Sequence, residues 1–191
     1  MIRARQEGRS EEALIAQMSR EHQRDFAAFQ IEFDNYGSTN SPENREFSEE
    51  IYSYMEANHH IESRPVRQFY CEHDRMFLPD RFVTGTCPQC GSENQYGDSC
   101  DKCSTTYSSF ELKDPRCAIC KNIPIEKESE HLFFKLNHFK DFLKDWVKKH
   151  TSKEVANKLD EWLKNDLKDW DISRDAPYFG FSIPGHPGKY F

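Results

Sequence analysis

No stretch of this sequence approaches the roughly 20 consecutive apolar residues that a bilayer-spanning helix needs, which argues against a helical membrane protein. The opening, MIRARQEGRSEE, carries charge but no apolar segment, so no secretory signal is expected and a cytoplasmic location is. A basic excess is lacking as well. Lys and Arg number 26 against 33 Asp and Glu, a net charge of -7, which argues against bulk electrostatic coating of nucleic acid but leaves room for a local basic face. Neither a GxxxxGK phosphate loop nor a GxSxG nucleophile elbow occurs. The string GHPGK at 185–189 is only superficially like the former, and its prolines predict a rigid turn.

What the chain does have is apolar anchors in a polar background. Mean hydropathy is -0.91. Charged residues make up 31%, yet aromatics reach 14% with fifteen Phe, which predicts a folded protein rather than a disordered tail. Its 191 residues suffice for one or two domains. Ser10 reads as an N-cap followed by Glu11 and Glu12, with Ile15, Met18, His22, Phe26 and Phe29 at helical spacing. Turn formers fill 34–44, and Ser41-Pro42-Glu43 opens a second helix, carrying Phe47, Ile51, Tyr54 and Met55, to about Asn58. From 64 to 86 the segments PVRQFY, MFLP and RFVTGT predict short strands broken by Pro79 and Gly85. Helical spacing returns at Asn137 with Phe139, Phe142, Leu143, Trp146 and Val147. Thr151 to Glu154 reads as a capping box for a last helix, with Val155, Leu159, Trp162 and Leu163 as its buried face. All these stripes are expected to be core. The end, DAPYFGFSIPGHPGKYF, is rich in Pro, Gly and aromatics and stops without a polar tail, which suggests a piece of something longer.

Seven cysteines dominate the chemistry. In CPQCGSENQYGDSCDKC, Cys87, Cys90, Cys100 and Cys103 form two Cys-x-x-Cys pairs nine residues apart. Two thiolates on one tight turn can face one cation, and a second turn completes a tetrahedron, so the spacing predicts zinc. Gly91, directly after a second cysteine, permits a left-handed backbone, while Gly97 and Asp98 are expected to reverse the intervening loop. Four sulfurs leave no open position, so the site is expected to be structural. A redox pair opens a helix after a strand, which nothing here sets up. Iron–sulfur clusters use other spacings. A second site could draw on Cys71, His73, Asp74, Cys117 and Cys120, the alternative being unliganded thiols beside solvated His73 and Asp74. His59, His60, His131, His138, His150 and His186 read as surface or satisfied groups.

The strings MFLPDRFVTGTCPQCGSENQYGDSCDKC, SEHLFFKL and WDISRDAPYFGFSIPGHPGKYF, together with EHQRDFAAFQIEFDNYGSTNSPENREFSEEIYSYM, resemble the methionyl-tRNA synthetase family across nearly the whole chain. The resemblance implies an α/β fold: part of a class I synthetase Rossmann-type domain with an inserted α+β connective-peptide domain bearing zinc knuckles. It places the tail of the first Rossmann half at 1–41 and the insertion at 42–191, with knuckles at about 79–126, a helical part at about 130–168 and a return to the catalytic domain at about 170–191. It implies Cys87, Cys90, Cys100 and Cys103 as zinc ligands, and Arg174 of WDISRDAP as an active-site residue in adenylate formation. Read from the residues, Arg174 can bind phosphate bidentately, or form a structural ion pair with Asp171 or Asp175. Where some family members carry a Cys-x-x-Cys before FLPDR, Asp74 takes the second position. Partners implied are methionine, ATP with Mg and tRNA(Met). The HIGH and KMSKS signatures are absent, so the chain alone is expected to be an inactive fragment of the ligase. The alternative, a free-standing zinc-knuckle module binding nucleic acid or protein, would have neither signature in its flanking reading frame.

Overall fold

Three helices lead the chain in the computed structural model, which describes residues 1–191: α1 (Ile2–Gln6), α2 (Glu11–Ala28) and α3 (Pro42–Ala57). The caps are as the sequence predicts. Ser10 Oγ accepts from Ala13 N at 3.2 Å, and Ser41 Oγ from Asn44 N at 3.1 Å with Pro42 at the first helical position. Each such cap stabilises its helix by about 1 kcal/mol, because it satisfies a backbone donor that the helix leaves unpaired.

Strands β1 (Ile61–Cys71), β2 (Met76–Phe77), β3 (Val83–Thr86), β4 (Gln95–Tyr96), β5 (Lys113–Cys117) and β6 (Ile125–Phe134) follow. After them come α4 (Lys140–His150), α5 (Lys153–Leu163), β7 (Trp170–Asp171), β8 (Arg174–Asp175) and β9 (Lys189–Tyr190). The sheets run β2-β1-β6-β7, β4-β3-β5 and β8-β9, every pairing antiparallel. The spine is β1 against β6, in register from Ile61 opposite Phe134 to Tyr70 opposite Ile125. β1 begins earlier and runs longer than the short strands expected, passing through Pro65. That proline is tolerated because β2 reaches only Tyr70 and Cys71, so β1 is an edge at Pro65. β6 has no counterpart in the sequence reading, since IEKESEHLFF lacks a clean apolar alternation.

Two small cores hold these elements together. Phe69, Cys71, Met76, Leu78, Val83, Leu112 and Cys117 pack under the β3 sheet. Tyr52, Leu132 and Ile183 pack α3 against β6 and the C-terminal segment, with Ile61, Ile172 and Phe191 around them.

The helical stripes expected to be core are mostly not buried. α2 has no buried residue, and Phe29, Phe47, Ile51 and Tyr54 are exposed. Of the later helices only Val147 and Leu163 are buried, while Phe142, Trp146, Val155 and Trp162 stand in solvent. Helical spacing marks a face suited to burial, but within these 191 residues nothing packs on most of those faces. The last cap also differs by one residue. Ser152, not Thr151, accepts from Val155 N, whereas Thr151 Oγ1 donates to Val147 O at 2.7 Å and closes α4.

Candidate metal centres and the Arg174 cleft

Four tight turns in this chain share one backbone design. In Cys87–Gly91 the Cys90 amide donates to Cys87 Sγ at 3.5 Å, Gly91 N donates to Cys87 O at 3.1 Å, and Gly91 has φ +72°. In Cys100–Ser104 the Cys103 amide reaches Cys100 Sγ at 3.5 Å, Ser104 N reaches Cys100 O at 2.8 Å, and Ser104 has φ 58°. Cys117–Lys121 repeats the closure, Lys121 N to Cys117 O at 2.9 Å with φ 65° at Lys121. In Cys71–Arg75 the Asp74 amide donates to Cys71 Sγ at 3.4 Å, and Arg75 has φ 53°. The residue after the second ligand position is left-handed in all four. Gly91 is the one of these four that the sequence singles out; Ser104, Lys121 and Arg75 adopt the same conformation without glycine.

The turns face each other in two pairs. Ligand atoms of Cys87, Cys90, Cys100 and Cys103 lie within 4.8 Å of one another, and so do those of Cys71, Asp74, Cys117 and Cys120. Sulfur separations are 3.8 Å for Cys87 and Cys103 and 3.6 Å for Cys90 and Cys100. A tetrahedral site with metal–sulfur bonds of about 2.3 Å has sulfur–sulfur edges of about 3.8 Å, so the first cluster has the dimensions a metal ion requires. In the second, Cys71 and Cys120 sulfurs are 3.4 Å apart, and Asp74 Oδ2 lies 3.3 Å from Cys71 Sγ and 3.2 Å from Cys117 Sγ. His73 is not part of it: its ring is exposed, with Nδ1 3.5 Å from Asp74 Oδ1. The chain geometry explains why, since Asp74, not His73, stands three residues after Cys71 where the turn aims a side chain inward. No histidine joins either cluster.

β3 carries one cluster at each end, with Val83 paired to Cys117 and Cys87 following Thr86. The loop between the two turns of the first cluster bends at Gly97 and Asp98, where the sequence suggests, and also at Glu93 and Asn94. Asn94 takes the positive φ there, 57°, and Gly97 is glycine because a Cβ would lie 2.7 Å from Asp80 O and 2.8 Å from Ser109 Cβ.

Burial pushes Cys100 up to about 11 and Cys117 up to about 12, while the hydrogen bonds with Ser92 bring Cys90 down to about 6. Burial raises the Asp74 carboxyl, but hydrogen bonds from Cys120, Cys117 and Cys71 outweigh it and hold the group at about 2. Each cluster therefore mixes protonated thiols with ready anions, and a cation that enters displaces protons from the buried sulfurs.

Arg174 borders the knuckle region at Asp80 and Ser109. It lines a cleft of about 230 Å³ with Arg67, Gln68, Asp80, Ser109 and Asp171. Its Nη1 donates to Ser173 O at 2.6 Å and approaches Asp171 Oδ1 only to 3.6 Å, so most of the guanidinium is unengaged. Asp175, adjacent to Arg174 in the chain, is bound to His131 and Lys189 instead. These cleft neighbours come from β1, the turn after β2, the turn before β5, and β7, and no spacing along the sequence announces them.

Comparison with known proteins follows from this geometry. A family-wide sequence model described as tRNA synthetases class I (M) matches residues 1–191. Methionine–tRNA ligase of Bdellovibrio bacteriovorus is 55% identical over 191 residues, all of this chain and 28% of that protein. Among solved structures, Mycobacterium tuberculosis methionyl-tRNA synthetase bound by methionyl-adenylate superposes with a TM-score of 0.62 at 20% identity, covering 98% of this chain and 33% of its own. The apo form of that enzyme gives 0.57 over 94% and 32%. The mixed helix and strand arrangement is thus a class I synthetase fold, and the chain spans about a third or less of the length of these relatives. No helix is long and apolar enough to cross a membrane.

Proposed function

This chain belongs to the family of tRNA synthetases class I (M), and from that premise we propose that it is the central segment of a cytoplasmic methionine–tRNA ligase. In the whole protein, the carboxylate of methionine attacks the α-phosphate of ATP, with Mg, and pyrophosphate leaves. The acyl group then passes from the adenylate to the 3′ end of tRNA(Met), and AMP leaves. The observation that carries this reading is the 55% identity over all 191 residues.

Two roles within that reaction fall to this segment. Cys87, Cys90, Cys100 and Cys103 are proposed to hold a structural zinc ion, a role supported by their spacing and their sulfur separations. Zinc supplies no reactive position with four sulfur ligands; it stands in for a hydrophobic core in a region whose own core is small. Cys71, Asp74, Cys117 and Cys120 are proposed as a second site of the same kind. Arg174 is proposed to meet the phosphates during adenylation, where a guanidinium with unengaged donors offsets the charge that develops. The free thiols throughout the chain suit a reducing compartment.

The test is Arg174→Ala in the full-length ligase. Methionine-dependent pyrophosphate exchange is expected to fall by roughly 100-fold, as loss of a donor to a charged transition state does. An unchanged rate would reduce Arg174 to a structural residue.

A further inference from the structure

His131 is the most buried ionisable side chain outside the two thiol clusters, 1% exposed, and the proposed reaction leaves it unused. Its ring lies between two carboxylates that flank Arg174 in the chain. Nδ1 is 2.6 Å from Asp171 Oδ2, and Nε2 is 3.0 Å from Asp175 Oδ2. Facing an acceptor on each side, the ring donates from both nitrogens. The side-chain amide of Gln68 also meets Nε2, at 2.5 Å, and a donating ring nitrogen calls for its oxygen on that side.

The remaining carboxylate oxygens are occupied too. Asp171 Oδ1 accepts from Ser173 N at 3.1 Å. Asp175 Oδ1 accepts from Ser129 Oγ at 2.8 Å and from Lys189 Nζ. Asp171 is left with one edge, Oδ1, which it shares between Ser173 and the guanidinium, and both oxygens of Asp175 are bonded elsewhere. A guanidinium beside an unoccupied carboxylate forms a bidentate pair. Here the approach to Asp171 stops at 3.6 Å, and the side chain lines the cleft instead.

We infer that His131 is a positioning residue for Arg174: by holding Oδ2 of both Asp171 and Asp175 it keeps either acid from a two-point pair with the guanidinium and anchors the strand that carries it. The inference rests on the role proposed above for Arg174 in adenylation. It extends that role to a residue 43 positions away in sequence, which reaches the site through β6 pairing with β7.

The experiment uses the full-length ligase with His131→Asn and His131→Gln, each alone and combined with Arg174→Ala. Metal content and thermal melting report whether each variant is folded. In the otherwise unchanged enzyme, kcat for methionine-dependent pyrophosphate exchange is expected to drop roughly 10- to 100-fold, as misplacement of a reacting group does, with KM for methionine little changed. In the Arg174→Ala background the same replacements are expected to cost nothing further, because the group they position is gone. An equal loss in both backgrounds, an unchanged rate in the otherwise unchanged enzyme, or failure of both variants to fold would overturn the inference. Arg174→Ala alone, if silent, would instead remove the functional reading on which it rests.

Discussion

Asp74 occupies the place that a cysteine holds in the other three turns, and its Oδ2 lies 3.2 Å from Cys117 Sγ, pointing into the cluster between Cys71 and Cys120. A carboxylate is a harder ligand than a thiolate, so a three-sulfur, one-oxygen set should hold zinc less tightly than a four-sulfur one. Metal analysis of the protein is expected to give two ions, the second lost first to a chelator. Asp74→Cys should abolish that difference, and Asp74→Ala should bring the content to one. A single ion in the unaltered protein would show that the second cluster is not a metal site.

Paired replacement Cys87→Ser and Cys90→Ser should be far more damaging than loss of any one apolar side chain. A structural zinc contributes on the order of 10 kcal/mol to modules that fold around it, against about 3 kcal/mol for one buried hydrophobic group. The expected readout is loss of one ion together with protease sensitivity around residues 87–103. Retention of a sharp melting transition with the ion gone would contradict this.

Gly97→Ala should destabilise the same region without touching a ligand. The new Cβ would sit 2.7 Å from the carbonyl oxygen of Asp80, and backbone cannot swing aside as a flexible side chain can. A loss of about 1–3 kcal/mol is expected in urea unfolding, the range for overpacked sites. Gly91→Ala, at φ +72° with open space around it, should cost less, chiefly the strain of a left-handed residue.

The bridge at His131 makes stability depend on pH in two opposite senses. Burial alone would lower the His131 pKa, but hydrogen bonds to Asp171 and Asp175 outweigh it and raise the value. That contribution is complete below about 6.5, the unfolded value, and is lost as pH rises through the folded one. Burial likewise raises Asp175, but hydrogen bonds from His131, Lys189 and Ser129 outweigh it and hold the group at about 2. Its contribution is present above about 4 and is lost as pH falls toward the folded value. Stability from this bridge should therefore peak between about pH 4 and 6.5. Asp175→Asn should lower unfolding free energy there by about 2 kcal/mol and flatten the acid limb, as followed by urea titration across pH.

Legibility in the sequence tracks the distance over which each feature is built. Ser10 and Ser41 cap their helices as expected, because a cap joins residues three apart. Each thiol turn is likewise complete within five residues, from the first sulfur to the left-handed position. The capping reading failed at Thr151 by a single residue, since adjacent Thr151 and Ser152 offer equivalent hydroxyls and only the end of α4 decides between them. Burial was less legible: Phe142 and Trp162 have the spacing of core residues, yet both are exposed, because periodicity describes one helix and burial requires two partners.

The amino-acid sequence by itself determined that four sulfurs could share one ion, that α2 and α3 would start after Ser10 and Ser41, and which family the chain resembles. The tertiary structure alone decided that Cys71–Asp74 faces Cys117–Cys120 with His73 left outside, and that His131 spans the acids on either side of Arg174. The physical reason is range. A turn is held by its own amides, whereas these juxtapositions depend on pairings between distant strands, β1 with β6, β3 with β5 and β6 with β7, which carry side chains 40 or more positions apart to within a hydrogen bond of one another.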